Sequence, residues 1–289
     1  MAQVVWGMAG VGAAVLLAGL VLVRGRFLAA RGADKVLVLG PVFEAVPLAM
    51  FAMEHFLAAR VMMQIVPKWL PGALFWTYLV GAALVAAAIS FIAWRCVRWS
   101  AALLALLFLI IVATVDLPNL GASLHDRLFW TLTVRELCFA GGAMALAGAV
   151  GPRESWAGNA LTVTGRWIVA AVMIFYGIEH FFFSRNVPGV PLEKLTPAWM
   201  PAPVLIAYVV GIVLIFGGIG LFFRGTVRWA AAGCGMVLLL LTVFFYVPIF
   251  VAEVHTELAV EGINYVGDTL LFAATVLLAG LGAERVGSV

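Results

Sequence analysis

Runs of apolar residues recur along the chain, each about 20 residues long and so able to cross a bilayer's hydrocarbon as a helix. Polar positions are confined largely to the intervals between them. Nine spans are predicted, at 4–23, 36–58, 73–93, 99–119, 131–150, 166–183, 203–223, 228–250 and 263–282. The runs are rich in Leu and Ala and do not alternate, which favours helices over strands. Helix breakers fall in the intervals: Pro67 and Pro71, Gly151-Pro152, then Pro188, Pro191, Pro197 and Pro201. The expected fold class is an all-α polytopic membrane protein.

Composition narrows the function classes. Hydrophobic residues make up 65% of the 289 residues and charged ones 11%, with mean hydropathy +1.14. A soluble domain carries roughly 25% charged residues, so a water-soluble globule, a disordered chain and a disulfide-stapled secreted fold are excluded. So is a nucleic-acid partner: the net charge of +3 comes from 17 basic residues that form no block. Cys96, Cys138 and Cys234 are singletons with no C-x-x-C spacing, which argues against thiol–disulfide exchange, c-type haem attachment and a zinc ribbon. The first apolar run lacks a preceding basic segment and a small-residue cleavage site, and is read as a span rather than a signal peptide.

Lys and Arg are distributed unevenly between the two sides. Eleven (Arg24, Arg26, Arg31, Lys35, Arg95, Arg98, Arg153, Arg166, Arg224, Arg228 and Arg285) lie beside the connectors after odd-numbered spans and at the C-terminus. Six (Arg60, Lys68, Arg127, Arg135, Arg185 and Lys194) lie on the other side. The positive-inside rule then places the N-terminus outside and the C-terminus in the cytoplasm.

The chain also repeats itself. Met53-Glu54-His55-Phe56 recurs as Ile178-Glu179-His180-Phe181 at an offset of 125, which a five-residue insertion raises to 130. Pro67, Trp69 and Pro71 then match Pro197, Trp199 and Pro201; Tyr78 and Gly81 match Tyr208 and Gly211; Pro118 matches Pro248 and His125 matches His255. Two further residues of insertion set Glu136 on Asp268. The expected organisation is an N-terminal helix and basic connector (1–35), a first four-helix unit (36–150), a connector (151–165) and a second unit with a short tail (166–289). An even number of crossings per unit makes the repeat parallel, with the units related by a rotation about the membrane normal. Inverted-repeat transporters are built differently.

The Glu-His-Phe at a span's end, the Pro-x-Trp-x-Pro loop and the Tyr-x-x-Gly opening the next helix resemble the DoxX-like family of bacterial membrane proteins. The resemblance covers residues 40–148 and 165–280. It implies four-helix units in a bacterial inner membrane and, for some members, membrane parts of quinone-linked or other redox assemblies. A related branch works with thiol redox partners; this chain lacks the cysteine pair.

All four histidines belong to the duplicated set, and ionisable groups inside a membrane boundary are costly unless they are paired or used. The candidate ligand-binding residues are Glu54, His55, Trp69, His125 and Glu136 in the first unit. Glu179, His180, Trp199, His255 and Asp268 are their counterparts in the second. Closing each four-helix unit on itself is expected to bring its Glu-His pair near its later carboxylate, giving two equivalent sites at one level. Imidazole and carboxylate beside an aromatic wall (Phe56 and Tyr78, or Phe181 and Tyr208) suit a quinone and its protons. A metal on His55, His125, His180 or His255 is a second option, although adjacent Glu and His diverge by about 100° on a helix. A haem fits poorly with a histidine on a loop. The same groups can also serve as structural pins. Glu44 is a lone carboxylate inside span 2, Asp116 lacks a carboxylate counterpart, and Arg135 is placed to pair with Glu136. The leading expectation is a redox-associated membrane subunit, without a nucleotide or flavin fingerprint of an independent enzyme, that meets other membrane or extracytoplasmic subunits. A non-enzymatic scaffold in a larger complex and a small-solute or ion transporter are the rivals.

Overall fold

The computed structural model describes residues 2–151, 156–190 and 192–281. Pro152, Arg153, Pro191, Arg285 and the short tail lie outside the described residues. Among those described, nine helices are long and apolar enough to cross a membrane. They are α1 (Ala2–Ala29), α2 (Asp34–Leu57), α3 (Ala73–Ala93), α4 (Val97–Ala122), α5 (Arg127–Ala149), α6 (Trp156–Phe182), α7 (Pro203–Phe222), α8 (Val227–Glu253) and α9 (Ala259–Gly280). The protein is a multi-pass, all-helical membrane protein. One isolated bridge, Asn186 to Leu195, is the extended pairing among the described residues.

Helix α6 begins at Trp156, ten residues before the apolar run predicts, because small residues let it continue against α5. Gly141 and Gly165 face each other there, and a Cβ on Gly165 would stand 2.3 Å from the Gly141 carbonyl oxygen. Such small-residue contacts replace the hydrophobic drive that helices lack in lipid. Gly177 and Gly211 make the same close approach between α6 and α7.

Helices α4 and α8 each contain one π-helical turn, at Val112–Asp116 and Thr242–Tyr246. Each turn is followed two residues later by a proline, Pro118 or Pro248. A proline inside a helix has no N–H to donate and crowds the carbonyl four residues back, and one wider turn relieves that clash.

Within each half, consecutive helices lie side by side: α2 on α3, α3 on α4 and α4 on α5, then α6 on α7, α7 on α8 and α8 on α9. The halves are joined through their last helices. Helix α9 packs on α2 and α5, and α5 packs extensively on α6. The expectation that α2 closes against α5 of its own unit is corrected here, since the helix that covers α2 is α9. Gly142 of α5 lets Thr275 of α9 approach so closely that a Cβ would meet its methyl at 2.7 Å. Helix α1 leans on α2 from outside the two sets, with a lesser contact to α3.

Candidate functional site

Chain direction puts the ends of α2, α4, α6 and α8 and the starts of α3, α5, α7 and α9 at one end of the molecule. A cavity of about 490 Å³ lies near that end, between α2, α3, α4, α5 and α9. Its walls are mostly apolar and aromatic, with Phe51, Phe108, Phe129 and Phe139 among them. Eight polar side chains also line it: Glu54, His55, Asp116, Asn119, Arg135, Glu136, Asn264 and Asp268.

Arg135 is the electrostatic centre. Its Nη1 donates to Asp268 Oδ2 at 2.9 Å and its Nη2 to Glu136 Oε1 at 2.8 Å, so one guanidinium joins carboxylates from both halves. Glu54 is buried and accepts from Asn264 Nδ2 at 3.1 Å, a bond from α9 to α2. One oxygen of Asp116 and the side-chain oxygen of Asn264 are buried without a hydrogen-bond partner among the described residues. Four carboxyl groups and one guanidinium thus share the cavity. Buried polar groups are ordinarily hydrogen-bonded, so each unpaired one calls for a partner such as a water, an ion or a bound molecule.

His55 has a defined tautomer. Its Nδ1 lies 2.7 Å from the Phe51 carbonyl oxygen, four residues back. A carbonyl only accepts, so Nδ1 carries a proton, and in the neutral ring Nε2 then presents a lone pair. His180 repeats the arrangement, with Nδ1 2.5 Å from the Tyr176 carbonyl oxygen.

The two halves differ in what meets that second nitrogen. His180 Nε2 accepts from the Gly189 backbone N–H at 2.8 Å, and the histidine is fully buried. The loop after α6 turns inward there, burying Val187 and Val190 in the main core. Tyr246 Oη donates to the Pro188 carbonyl oxygen at 2.5 Å. Glu179 accepts from Thr131 Oγ1 at 3.2 Å and lies 3.6 Å from Arg127, again a contact with α5 of the other half. Farther out, Lys194 reaches Glu253 and Glu261, each at 2.9 Å. Burial alone would lower the Lys194 pKa; the hydrogen bonds and charge of the two carboxylates outweigh that and hold it above its ordinary value.

Of the sequence candidates, Glu54, His55, Glu136 and Asp268 line this one cavity, whereas Glu179 faces Thr131 and Arg127 of α5 and His180 faces the inward loop. Trp69, Trp199, His125 and His255 are exposed on connectors. Phe56 stacks on Tyr78 with centroids 6.2 Å apart, and Phe181 on Tyr208 at 5.4 Å, but these rings are also exposed. They do not form the wall of the cavity, because a residue beside an inward-facing histidine points away from it. The four histidines do not converge, and among the described residues no group of three His, Cys, Asp or Glu side chains is placed to hold a metal ion. Glu44 is fully buried with both oxygens unpartnered among the described residues, and it lies outside the cavity lining.

Sequence reasoning missed Asn264 and Asn119, and it set Asp116 aside for want of a carboxylate counterpart. Each is a polar residue in an apolar run, a usable signal, but none has a like residue at the matching offset.

Residues 161–247 match the DoxX family model, and residues 45–123 match a domain of unknown function, DUF8561. No curated protein and no solved structure matches the chain.

Proposed function

We propose, from a chain whose residues 161–247 are DoxX-like, that this membrane protein is a quinone-interacting subunit of a redox assembly. The observation that carries the reading is the cavity: about 490 Å³ of mostly apolar space with carboxyl groups, an imidazole and a guanidinium gathered at one end. Small-molecule sites commonly have this size and this mixture of apolar wall and few polar groups. A quinone ring needs an apolar slot that lipid-soluble molecules can enter, and its oxygens need groups that exchange protons. Glu54, His55, Asp116 and Glu136 provide such groups, and Arg135 holds Glu136 and Asp268 in place. Electrons would pass to or from a partner subunit, because the chain carries no nucleotide or flavin fingerprint.

Two further parts of the proposal concern organisation. Helices α2–α5 and α6–α9 are two copies of one unit, supported by the paired π turns, the paired histidine tautomers and the paired Phe–Tyr stacks. The cavity end faces outward from a bacterial inner membrane, supported by the excess of basic residues at the opposite end.

The test is native purification in mild detergent, followed by mass spectrometry of extracted lipids and photolabelling with an azido-quinone. Retained quinone, with label on peptides of α2, α4 or α5, is the expected result. Absence of both, with other subunits co-purifying tightly, would replace this reading with that of a scaffold.

A further inference from the structure

The inward loop of the second half occupies a place that is empty in the first. A Cβ built on Gly189 would stand 3.2 Å from Leu241 and 3.9 Å from Leu238. One repeat offset earlier, Leu238, Leu241 and Tyr246 correspond to Phe108, Ile111 and Asp116, all of which line the cavity. His180, which receives the Gly189 N–H, corresponds to His55. The five-residue insertion therefore supplies chain that fills one site, while the shorter connector of the first half leaves the other open.

We propose that the Val187–Val190 segment is an internal stand-in for the ligand of the open cavity, and that this ligand presents a hydrogen-bond donor to His55 Nε2. In the second half the imidazole lone pair is met by an N–H at 2.8 Å, flanked by the apolar side chains of Val187 and Val190. His55 has the same tautomer, lines the cavity, and has no Nε2 partner among the described residues. A quinone has carbonyl oxygens, which only accept; a hydroquinone has hydroxyls, which donate. The cavity accordingly prefers the reduced, hydroxyl-bearing form. Asp116 stands where Tyr246 meets the loop carbonyl, and its unpartnered oxygen gives the ligand a second polar contact. The inference rests on the reading of the cavity as a quinone site.

The experiment uses the full-length protein in lipid nanodiscs under anaerobic conditions. Binding is measured for a short-tailed hydroquinone, its dimethyl ether and the matching quinone. An unpaired buried acceptor weakens binding by about tenfold relative to a satisfied one, so the hydroquinone should bind about tenfold tighter than its ether and the quinone. One molecule should bind per chain, and His55→Phe should remove the preference. Equal binding of hydroquinone and ether to the unaltered chain would overturn the donor assignment while leaving a quinone site standing. Two molecules per chain would overturn the stand-in, because the loop would then not occupy the second site. No binding of any of the three would overturn the quinone reading and this inference together. The comparison on the unaltered chain decides the matter even if His55→Phe does not fold.

Discussion

Arg135 concentrates more of the site's electrostatics than any other side chain, since among the described residues it alone pairs with both Glu136 and Asp268. Removing one member of a partly buried ion cluster strands the others, which costs about 3 kcal/mol in comparable cases. Arg135→Met is therefore expected to lower thermal stability in detergent by about that amount. Adding Glu136→Gln and Asp268→Asn should recover most of the loss, because the stranded charges are then gone. A triple variant no more stable than Arg135→Met would show that the cluster is not what holds the two halves together here. The repeat made Glu136, Asp268, Glu54 and His55 legible, since each recurs at a fixed offset. It concealed Asn264 and Asp116 for the same reason: their counterparts, Leu132 and Tyr246, are not like them. Offsets report which positions are alike, whereas the cavity also draws on residues at which the two segments differ. The exposed His125, His255, Trp69 and Trp199 mark the converse case, matched in sequence yet outside the cavity.

Among the elements, the π turn of α4 bears most directly on the site, because it ends at Asp116 and is followed by Asn119, both in the cavity lining. One additional residue in a turn rotates everything beyond it by about 100°. Pro118→Ala restores the missing N–H and removes the clash that favours the wider turn, so α4 can return to regular α geometry. Proline inside a helix costs up to about 3 kcal/mol relative to alanine, so the thermal midpoint should hold or rise. Quinone or hydroquinone binding should nevertheless weaken about tenfold as Asp116 or Asn119 leaves the cavity, an effect equal to one good polar contact. Unchanged binding together with unchanged or greater stability would show that the wider turn does not position these groups. Hydropathy made the spans legible to within a few residues at most ends, because burial in lipid depends on the apolar run itself. It could not show the π turns or the inward loop, which depend on local backbone crowding and on the volume left inside one bundle.

For the whole molecule, sequence spacing gave the correct end for the polar groups but not the partner that closes the cavity. Helix length and crossing number set which residues share an end; they do not determine whether α2 meets α5 or α9. The meeting of α5 and α9 makes the cavity a product of both halves, with Asn264 and Asp268 coming from the second. Which side of the membrane it faces is a separate matter, and a native residue can test it. Cys96 is exposed in the connector between α3 and α4, at the end opposite the cavity, whereas Cys138 and Cys234 are buried in helices. Arg95 and Arg98 flank Cys96, and Arg24, Arg26, Arg31 and Lys35 lie at the same end. An excess of Lys and Arg in short connectors marks the cytoplasmic side. A membrane-impermeant maleimide should therefore leave Cys96 unlabelled in intact cells and label it in inverted vesicles. Ser123→Cys, in the exposed connector between α4 and α5 at the cavity end, should behave in the opposite way. If Cys96 is labelled in intact cells and Ser123→Cys is protected, the orientation is reversed, and the cavity then faces the cytoplasm.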